Sequence, residues 1–219
     1  MFFWLMCIAG LMAAYLFGSI PTAFLTGRML KGIDIREHGS KSVGATNALR
    51  TLGKGPGLFV LLVDILKGTT AIAFVRWLFS LPYTTSFEIS STDLDTRLPW
   101  VLSVAGVAAL LGHSRSVWLK FAGGKSAATG LGVLIAISWP VALGAAVAFG
   151  IFLALFRIAS LSSMLAALTA TALVIGLNHP LPYQLLVIAG SIYVIARHRA
   201  NIRRLLSGTE PRLGQSKPD

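Results

Sequence analysis

The chain has 219 residues, of which 55% are hydrophobic and 12% charged, and its mean hydropathy is +0.74. Because ordinary soluble domains carry about 25% charged residues, this composition excludes a soluble globular protein and indicates one integral membrane domain over residues 1–219. The net charge of +11 does not indicate nucleic-acid binding, since the basic residues lie between apolar segments without an aromatic-rich basic surface.

Seven apolar segments are long enough to be transmembrane helices, so the sequence predicts an all-α integral membrane protein. The predicted spans are residues 4–25, 57–79, 98–113, 126–139, 140–156, 161–178 and 180–196. The first segment has no basic residues before it, so it is interpreted as a retained helix and not as a signal peptide. The fourth is short and glycine-rich, and Pro140 separates it from the fifth.

The distribution of lysine and arginine predicts the orientation of these spans, because short cytoplasmic loops carry the positive excess. The connection after the first span holds six basic residues, whereas the connection after the second holds only Arg76 and Arg97 beside three acidic residues. The alternation continues to a basic C-terminal tail. We therefore expect the N-terminus outside, the C-terminus in the cytoplasm, and anionic lipid and phosphate-bearing molecules as the partners of the basic connections.

The first polar segment, residues 39–50, combines glycines with hydroxyl, amide and guanidinium groups. Small residues let the backbone approach an anion, and a guanidinium can bind two phosphate oxygens at once. The alternative is an ordinary cytoplasmic loop rich in turn-forming residues. Ser40 is not surrounded by a nucleophile-elbow pattern, so a hydrogen-bonding role is favoured over a covalent one. The candidate residues are Gly39, Ser40, Gly44, Thr46, Asn47 and Arg50.

The second polar segment is Gly123, Gly124 and Lys125, directly before the fourth span. It is not a Walker A loop, because the first glycine of that pattern and the preceding strand are both missing. Two glycines and a lysine at the start of a helix nevertheless predict an anion site built from amides, helix dipole and charge. The alternative is a positively charged membrane anchor with a flexible turn.

The third polar segment follows the last span. His198 and Asn201 are three residues apart, so they share a face if the helix continues beyond the membrane. His198 is a candidate base or hydrogen-bond donor to phosphate, with a structural role as the alternative. Glu210 is interpreted as structural, bracing this segment by pairing with an arginine.

Asp64 and Lys67 lie one helical turn apart inside the second span. Charges within a membrane face a partner or a wet cavity, so two interpretations remain open, a self-contained ion pair and a contribution to the polar site. The histidines and carboxylates show no metal-ligand spacing, and neither a metal nor a cofactor is predicted.

The order of these motifs resembles one known family. The patterns GSxxxGATNxLRTLGK, GHxxxxWLKFxGGK and HRxNIxRLLxGTEPRLG, with a DxxKG element at residues 64–68, are similar to those of the bacterial acyl-phosphate:glycerol-3-phosphate acyltransferases. The resemblance extends over residues 18–214, nearly the whole chain. It implies a seven-helix protein of the bacterial inner membrane with its active site on the cytoplasmic face.

The resemblance also implies a reaction. Members of the family transfer a fatty acyl group from acyl phosphate to the 1-hydroxyl of glycerol 3-phosphate, without a cofactor, giving lysophosphatidic acid and inorganic phosphate. It implies catalytic roles for Ser40, Arg50, His198 and Asn201, and no obligate protein partner is evident. By the same resemblance, the second motif's phosphate-binding residues are Gly123, Gly124 and Lys125, and Glu210 is structural.

The chain departs from the family pattern at five positions. Lys41, Ser42 and Val43 replace the usual glycine, asparagine and proline, and Ala122 and Ser126 replace a lysine and a glycine. Losing that lysine is expected to weaken the hold on glycerol 3-phosphate unless Lys41 restores the charge. The connection at residues 81–99 is longer than needed, and we expect it on the outer face, away from catalysis.

The sequence is less consistent with a transporter and with another class of acyltransferase. An organic-phosphate transporter or anion channel would also place cations and glycines together, but its polar groups would face both sides of the membrane. The polar segments here all fall on one predicted face, and no internal repeat is present. The chain also lacks the histidine–aspartate motif of another acyltransferase class, because the residues five after its four histidines are Val43, Trp118, Gln184 and Arg203.

Overall fold

The computed structural model describes residues 2–81 and 91–214, except for the side chains of 91–93, and this part of the chain is helical. The helices are α1 (Phe2–Ser19), α2 (Thr22–Lys31), α3 (Ala45–Leu52), α4 (Lys54–Ser80), α5 (Ser91–Ser114), α6 (Ala127–Ile137), α7 (Trp139–Phe156), α8 (Ala159–Gly176), α9 (Leu181–Arg197) and α10 (Arg199–Leu206). Single 3-10 turns lie at Ile35–Glu37 and Val117–Leu119.

Among the described residues, five helical segments are long and apolar enough to cross a membrane. They are Phe2–Lys31, Lys54–Ser80, Leu94–Ser114, Trp139–Phe156 and Ala159–Gly176. The two shorter apolar helices, α6 and α9, coincide with the predicted fourth and seventh spans. Large apolar side chains more than half exposed, among them Trp4, Met12 and Leu155, cover the outside of the bundle and suit a lipid environment.

Some predicted boundaries differ from the structure. The first span is two helices, because Pro21 lacks an amide donor and the chain breaks at residues 20 and 21. The third is longer than predicted, since α5 begins at Ser91 and contains Pro99. Of the predicted outer connection at residues 81–99, residues 91–99 form the start of α5, and residues 82–90 lie outside the described part of the chain.

Glycines allow the central helices to cross at close range. A Cβ at Gly132 of α6 would overlap Ile65 O of α4, and one at Gly68 of α4 would overlap Thr129 O of α6. Gly18 and Gly112 bring α1 and α5 together in the same way. This close packing explains why a short, glycine-rich α6 is held firmly against the long helix α4.

Candidate active site

One cavity of about 290 Å³ brings together residues from all three polar segments. Ser40, Arg50, Lys125, His198 and Asn201 all line it, so residues far apart in sequence meet at one end of the bundle. We call this region the polar end. Gly44, Thr46, Asn47, Asp64 and Glu210 also line the cavity, whereas Gly39, Lys67, Gly123 and Gly124 do not.

Asn47 organises the loop before α3. Its amide nitrogen donates to the carbonyl oxygens of Ile35, His38 and Ser42 at 3.0, 3.1 and 2.9 Å, and its Oδ1 accepts from Ser40 N at 2.8 Å. Gly39 has φ +59°, and a Cβ there would overlap Asn47 Oδ1. We therefore reassign Gly39 and Asn47 from direct substrate binding to holding Ser40 in place.

The hydroxyls of Ser40 and Thr46 have no hydrogen-bond partner within residues 2–81 and 91–214, although both residues line the cavity. Arg50 Nη2 donates to Pro211 O at 3.2 Å, which ties the first polar segment to the third. Burial lowers the pKa of Arg50, but an arginine stays charged at any physiological pH. This side of the polar end therefore offers two hydroxyls and a guanidinium to an anion.

In the second polar segment, the two glycines do not line the cavity, contrary to the prediction. Gly124 N donates to His113 O at 3.1 Å, and a Cβ at Gly124 would overlap the imidazole of His113. Arg197 donates to Gly124 O at 3.1 Å and to Gly123 O at 3.3 Å. The two glycines thus allow close packing, and the prediction that the Gly124 amide binds an anion is wrong because that amide is already bonded.

The start of α6 lies where the glycine amides were expected to act. Ser126 precedes the helix with φ 64° and donates to Leu110 O at 2.7 Å. Ala127 and Ala128, the first two helical residues, line the cavity beside Lys125. Because the first amides of a helix have no intrahelical acceptor, this turn offers the kind of donors that can bind an anion, a few residues after the glycines for which the sequence predicted that role.

Lys125 is the second cation of the polar end. Its ammonium makes no hydrogen bond or ion pair within the described residues, and burial lowers its pKa to about 8. Glu210 opposes this shift, while Arg204, Arg50 and Arg197 add to it. An arriving phosphate would supply the counter-charge that the site lacks.

His198 has a defined tautomer. Its Nδ1 lies 2.8 Å from Val194 O, and since a carbonyl only accepts, Nδ1 carries the hydrogen and Nε2 keeps a free lone pair. Burial lowers the pKa of His198 to about 4, so the imidazole is neutral near pH 7. The last helix is interrupted at His198, because α9 ends at Arg197 and α10 begins at Arg199.

Glu210 fixes the third segment. Its Oε1 accepts from Ser160 Oγ and Asn201 Nδ2, both at 2.6 Å, and its Oε2 accepts from Arg204 Nε at 2.7 Å. Burial raises the pKa of Glu210, but these three donors outweigh burial and hold the pKa below its usual value. Asn201 Oδ1 remains buried without a partner among the described residues, so it is available to a hydroxyl donor.

Asp64 and Lys67 form a buried pair with 2.8 Å between Oδ1 and Nζ. Thr22 donates to Asp64 Oδ1 at 3.1 Å, and Lys67 donates to Ile20 O at 2.9 Å, so the pair joins α4 to the chain between α1 and α2. Asp64 also lines the cavity, as does His113. Both interpretations of Asp64 therefore fit the geometry, while Lys67 has only the structural one. Across the described residues, no group of three potential metal ligands is present.

The known proteins that match this chain share one description and cover nearly all of its length. The family model of glycerol-3-phosphate acyltransferases matches residues 8–208. "Glycerol-3-phosphate acyltransferase 2" of Rhizobium johnstonii is 64% identical over 98% of this chain and 99% of its own. "Glycerol-3-phosphate acyltransferase" of Acaryochloris marina is 54% identical, covering 98% of this chain and 96% of that protein.

Two solved structures have the same fold. Both are of PlsY (YgiH), described as an integral membrane glycerol 3-phosphate acyltransferase, in a glycerol 3-phosphate form and a lysophosphatidic acid form. The TM-score is 0.79 in each case, with 38% and 37% identity. The superposition covers 95% of this chain and 96% or 95% of the solved one, so the fold is shared over nearly the whole chain.

Proposed function

The chain belongs to the glycerol-3-phosphate acyltransferase family, and we propose that it transfers a fatty acyl group from acyl phosphate to the 1-hydroxyl of sn-glycerol 3-phosphate. The products are lysophosphatidic acid and inorganic phosphate, in the first acylation step of phospholipid biosynthesis. The observation that carries this proposal is one cavity that joins a cationic polar end to an apolar interior. An acyl phosphate has the same two parts, a charged head and a long apolar chain.

The polar end holds the phosphates of both substrates. Arg50 and Lys125 supply charge, and the first amides of α6 add a helix dipole. The hydroxyls of Ser40 and Thr46 donate to phosphate oxygens without breaking a bond to any residue that the structure describes. Two anionic substrates repel each other in solution, so neutralising their charge and fixing their relative position supplies much of the rate enhancement.

The chemical step needs no covalent intermediate on the protein. The acceptor hydroxyl attacks the carbonyl carbon of acyl phosphate, the bond from that carbon to the phosphate oxygen breaks, and the hydroxyl proton passes to the departing phosphate. His198 Nε2 accepts a hydrogen bond from the hydroxyl and directs its oxygen toward the carbonyl. Because the pKa of His198 is about 4, the phosphate is the better final acceptor of the proton.

The membrane placement follows from the same proposal. We infer seven spans, the five long apolar segments together with the shorter α6 and α9, and a polar end on the cytoplasmic face of the bacterial inner membrane. Glycerol 3-phosphate then reaches the cavity from water, while the acyl chain enters between helices from the bilayer. A transporter would need polar groups toward the other face, and the cavity is apolar in that direction.

The test uses purified full-length protein, palmitoyl phosphate as donor and palmitoyl-CoA as control donor. We expect phosphate release that depends on glycerol 3-phosphate and equals lysophosphatidic acid formation, with none from palmitoyl-CoA. His198→Ala should lower turnover by about 100-fold or more, as for other positioned proton-handling groups. His38→Ala is the matched control, because His38 is exposed and lies outside the cavity. Equal activity of the two variants would remove His198 from the mechanism.

A further inference from the structure

The cavity extends from the polar end into the bundle as an apolar groove between α6, α7, α8 and α9. Small side chains form much of its wall, which leaves room that larger residues would fill. The small wall residues are Ala145, Ala146, Ala166, Ala167, Ala170 and Gly190. A wall of this kind suits an unbranched alkyl chain, and the groove is continuous with the phosphate-binding end.

The length of the groove can be measured along α8. Ser160, which bonds to Glu210, lies at the polar end, and Ala170 is the deepest residue of α8 on the cavity wall. Ten helical residues correspond to about 15 Å. This equals about half of the ~30 Å hydrocarbon core, the depth that one membrane fatty acyl chain fills.

The deep end of the groove is closed by a packed apolar cluster. Ala145, Ala170 and Val187 line the cavity and also belong to this cluster, while Val141 and Val174 stand behind them, 0% and 1% exposed. Ile137 and Leu173 also pack against the cluster, as does Leu134, which lines the cavity itself. Within the described residues the lining of the groove therefore ends at this cluster, which forms its floor.

We propose that Ala170 and Val174 set the maximum length of the acyl chain that the protein transfers, a specificity that rests on the proposed function. The terminal methyl of a chain held by its phosphate at the polar end meets Ala170, with Val174 one turn beyond. A larger side chain at residue 170 shortens the groove, and a smaller one at residue 174 lengthens it. Each methylene that loses its place in the groove loses the free energy of burial.

The test measures kcat/KM for octanoyl, lauroyl, palmitoyl and stearoyl phosphate with saturating glycerol 3-phosphate. For Ala170→Leu we expect the preference for palmitoyl over lauroyl phosphate to fall by about tenfold, the effect of displacing about two methylenes. Activity with octanoyl phosphate should be kept, because that chain ends before the floor. Val174→Ala should raise the stearoyl to palmitoyl ratio by about threefold.

Ala172→Leu is the matched control, since it places the same side chain on an exposed position of the same helix. Its chain-length profile should equal that of the unmodified protein. An unchanged profile in both Ala170→Leu and Val174→Ala would overturn the proposal, and if Ala170→Leu fails to fold, Val174→Ala decides alone. Absence of any transfer by the unmodified protein would instead contradict the proposed function, so the two failures are distinguishable.

Discussion

The polar end uses its basic residues in two ways. Arg197 and Arg204 are bonded within the protein, to the carbonyl groups of Gly123 and Gly124 and to Glu210 respectively. Lys125 lines the cavity without such a bond to any described residue, and Arg50 gives one donor to Pro211 O. Since a bonded cation has less charge to offer a ligand, we assign substrate phosphate to Lys125 and Arg50.

The lowered pKa of Lys125 predicts an alkaline limit to activity. Below about pH 8 the ammonium is protonated and binds phosphate, and above this pH the charge is lost, so kcat/KM for glycerol 3-phosphate should fall with unit slope. Lys125→Arg should remove this limit up to about pH 10, because arginine stays charged. Lys125→Met should lower kcat/KM by about 10- to 100-fold at neutral pH, the loss of a charge-assisted hydrogen bond.

The pH profile needs a control for general effects of alkaline solution. Lys120→Met removes an exposed lysine five residues away that does not line the cavity, and its profile should match the unmodified protein. If the alkaline fall in kcat/KM persists in Lys125→Arg, the group that titrates is not Lys125. In the pH profile of kcat, the alkaline fall should begin at higher pH, since bound phosphate raises the pKa of Lys125.

Substitution of Ser40 should lower turnover, whereas substitution of Asn47 should lower stability. Ser40→Ala removes a hydroxyl that has no hydrogen-bond partner among the described residues, so turnover should fall while stability is unchanged. Asn47→Asp replaces a donor that faces three carbonyl groups with a carboxylate, which should destabilise the fold by about 1–3 kcal/mol. Heat-induced modification of Cys7, the single and buried cysteine, reports unfolding. Equal stability of both variants would contradict the supporting role of Asn47.

At the scale of single residues, the sequence predicts which residue types form the site better than it predicts which of their polar groups are free to bind a ligand. Glycines, hydroxyls and cations separated by long apolar spans indicate an anion site, and Ser40, Arg50, Lys125, His198 and Asn201 do line one cavity. Local spacing cannot show which amides are free, because Gly124 N finds its acceptor in His113 of another helix. His113 itself borders the cavity, and only its place in the second motif pointed to it.

Among the elements, the crossing of α4 and α6 governs the position of Lys125. Gly132 meets the α4 backbone at Ile65, so Gly132→Ala forces the helices apart and should destabilise the protein by about 1–3 kcal/mol. Gly150→Ala is the matched control, because Gly150 lies within α7 with open space around it. That change should stabilise by about 0.5–1 kcal/mol. If Cys7 were modified at similar rates in Gly132→Ala and Gly150→Ala on heating, the crossing of α4 and α6 would have room for a methyl group.

Element types were predictable from apolar length, while element ends depended on contacts and on proline. The predicted fourth span, 126–139, lies close to α6 because Ser126 and Ser138 flank it. The first span was predicted as one helix, and the break at residues 20 and 21 lets Ile20 O accept from Lys67. The buried Lys67 needs that acceptor. The apolar pattern of the first span could not predict the break, because the lysine that uses it lies 47 residues away in sequence.

At the scale of the whole molecule, one end of the bundle collects the connections that carry the site. Bonds between Arg197 and Gly124 and between Arg50 and Pro211 join the three polar segments there, and His113 is bonded to Gly124 as well. A chain that crosses the bilayer alternately must place every second connection on one side. The clustering of the polar segments is therefore a consequence of topology as well as of chemistry, and it agrees with the positive excess predicted for the cytoplasmic side.

The orientation itself is testable by labelling single cysteines in a Cys7→Ala background. Lys41, Arg203 and Leu177 are exposed, the first two near the polar end and Leu177 directly after α8 at the opposite end. With a membrane-impermeant maleimide on intact spheroplasts, we expect Leu177→Cys to react while Lys41→Cys and Arg203→Cys stay protected. Inverted vesicles should give the reverse pattern. Labelling of Lys41→Cys from outside would place the polar end away from the cytoplasm, where glycerol 3-phosphate could not reach it without export.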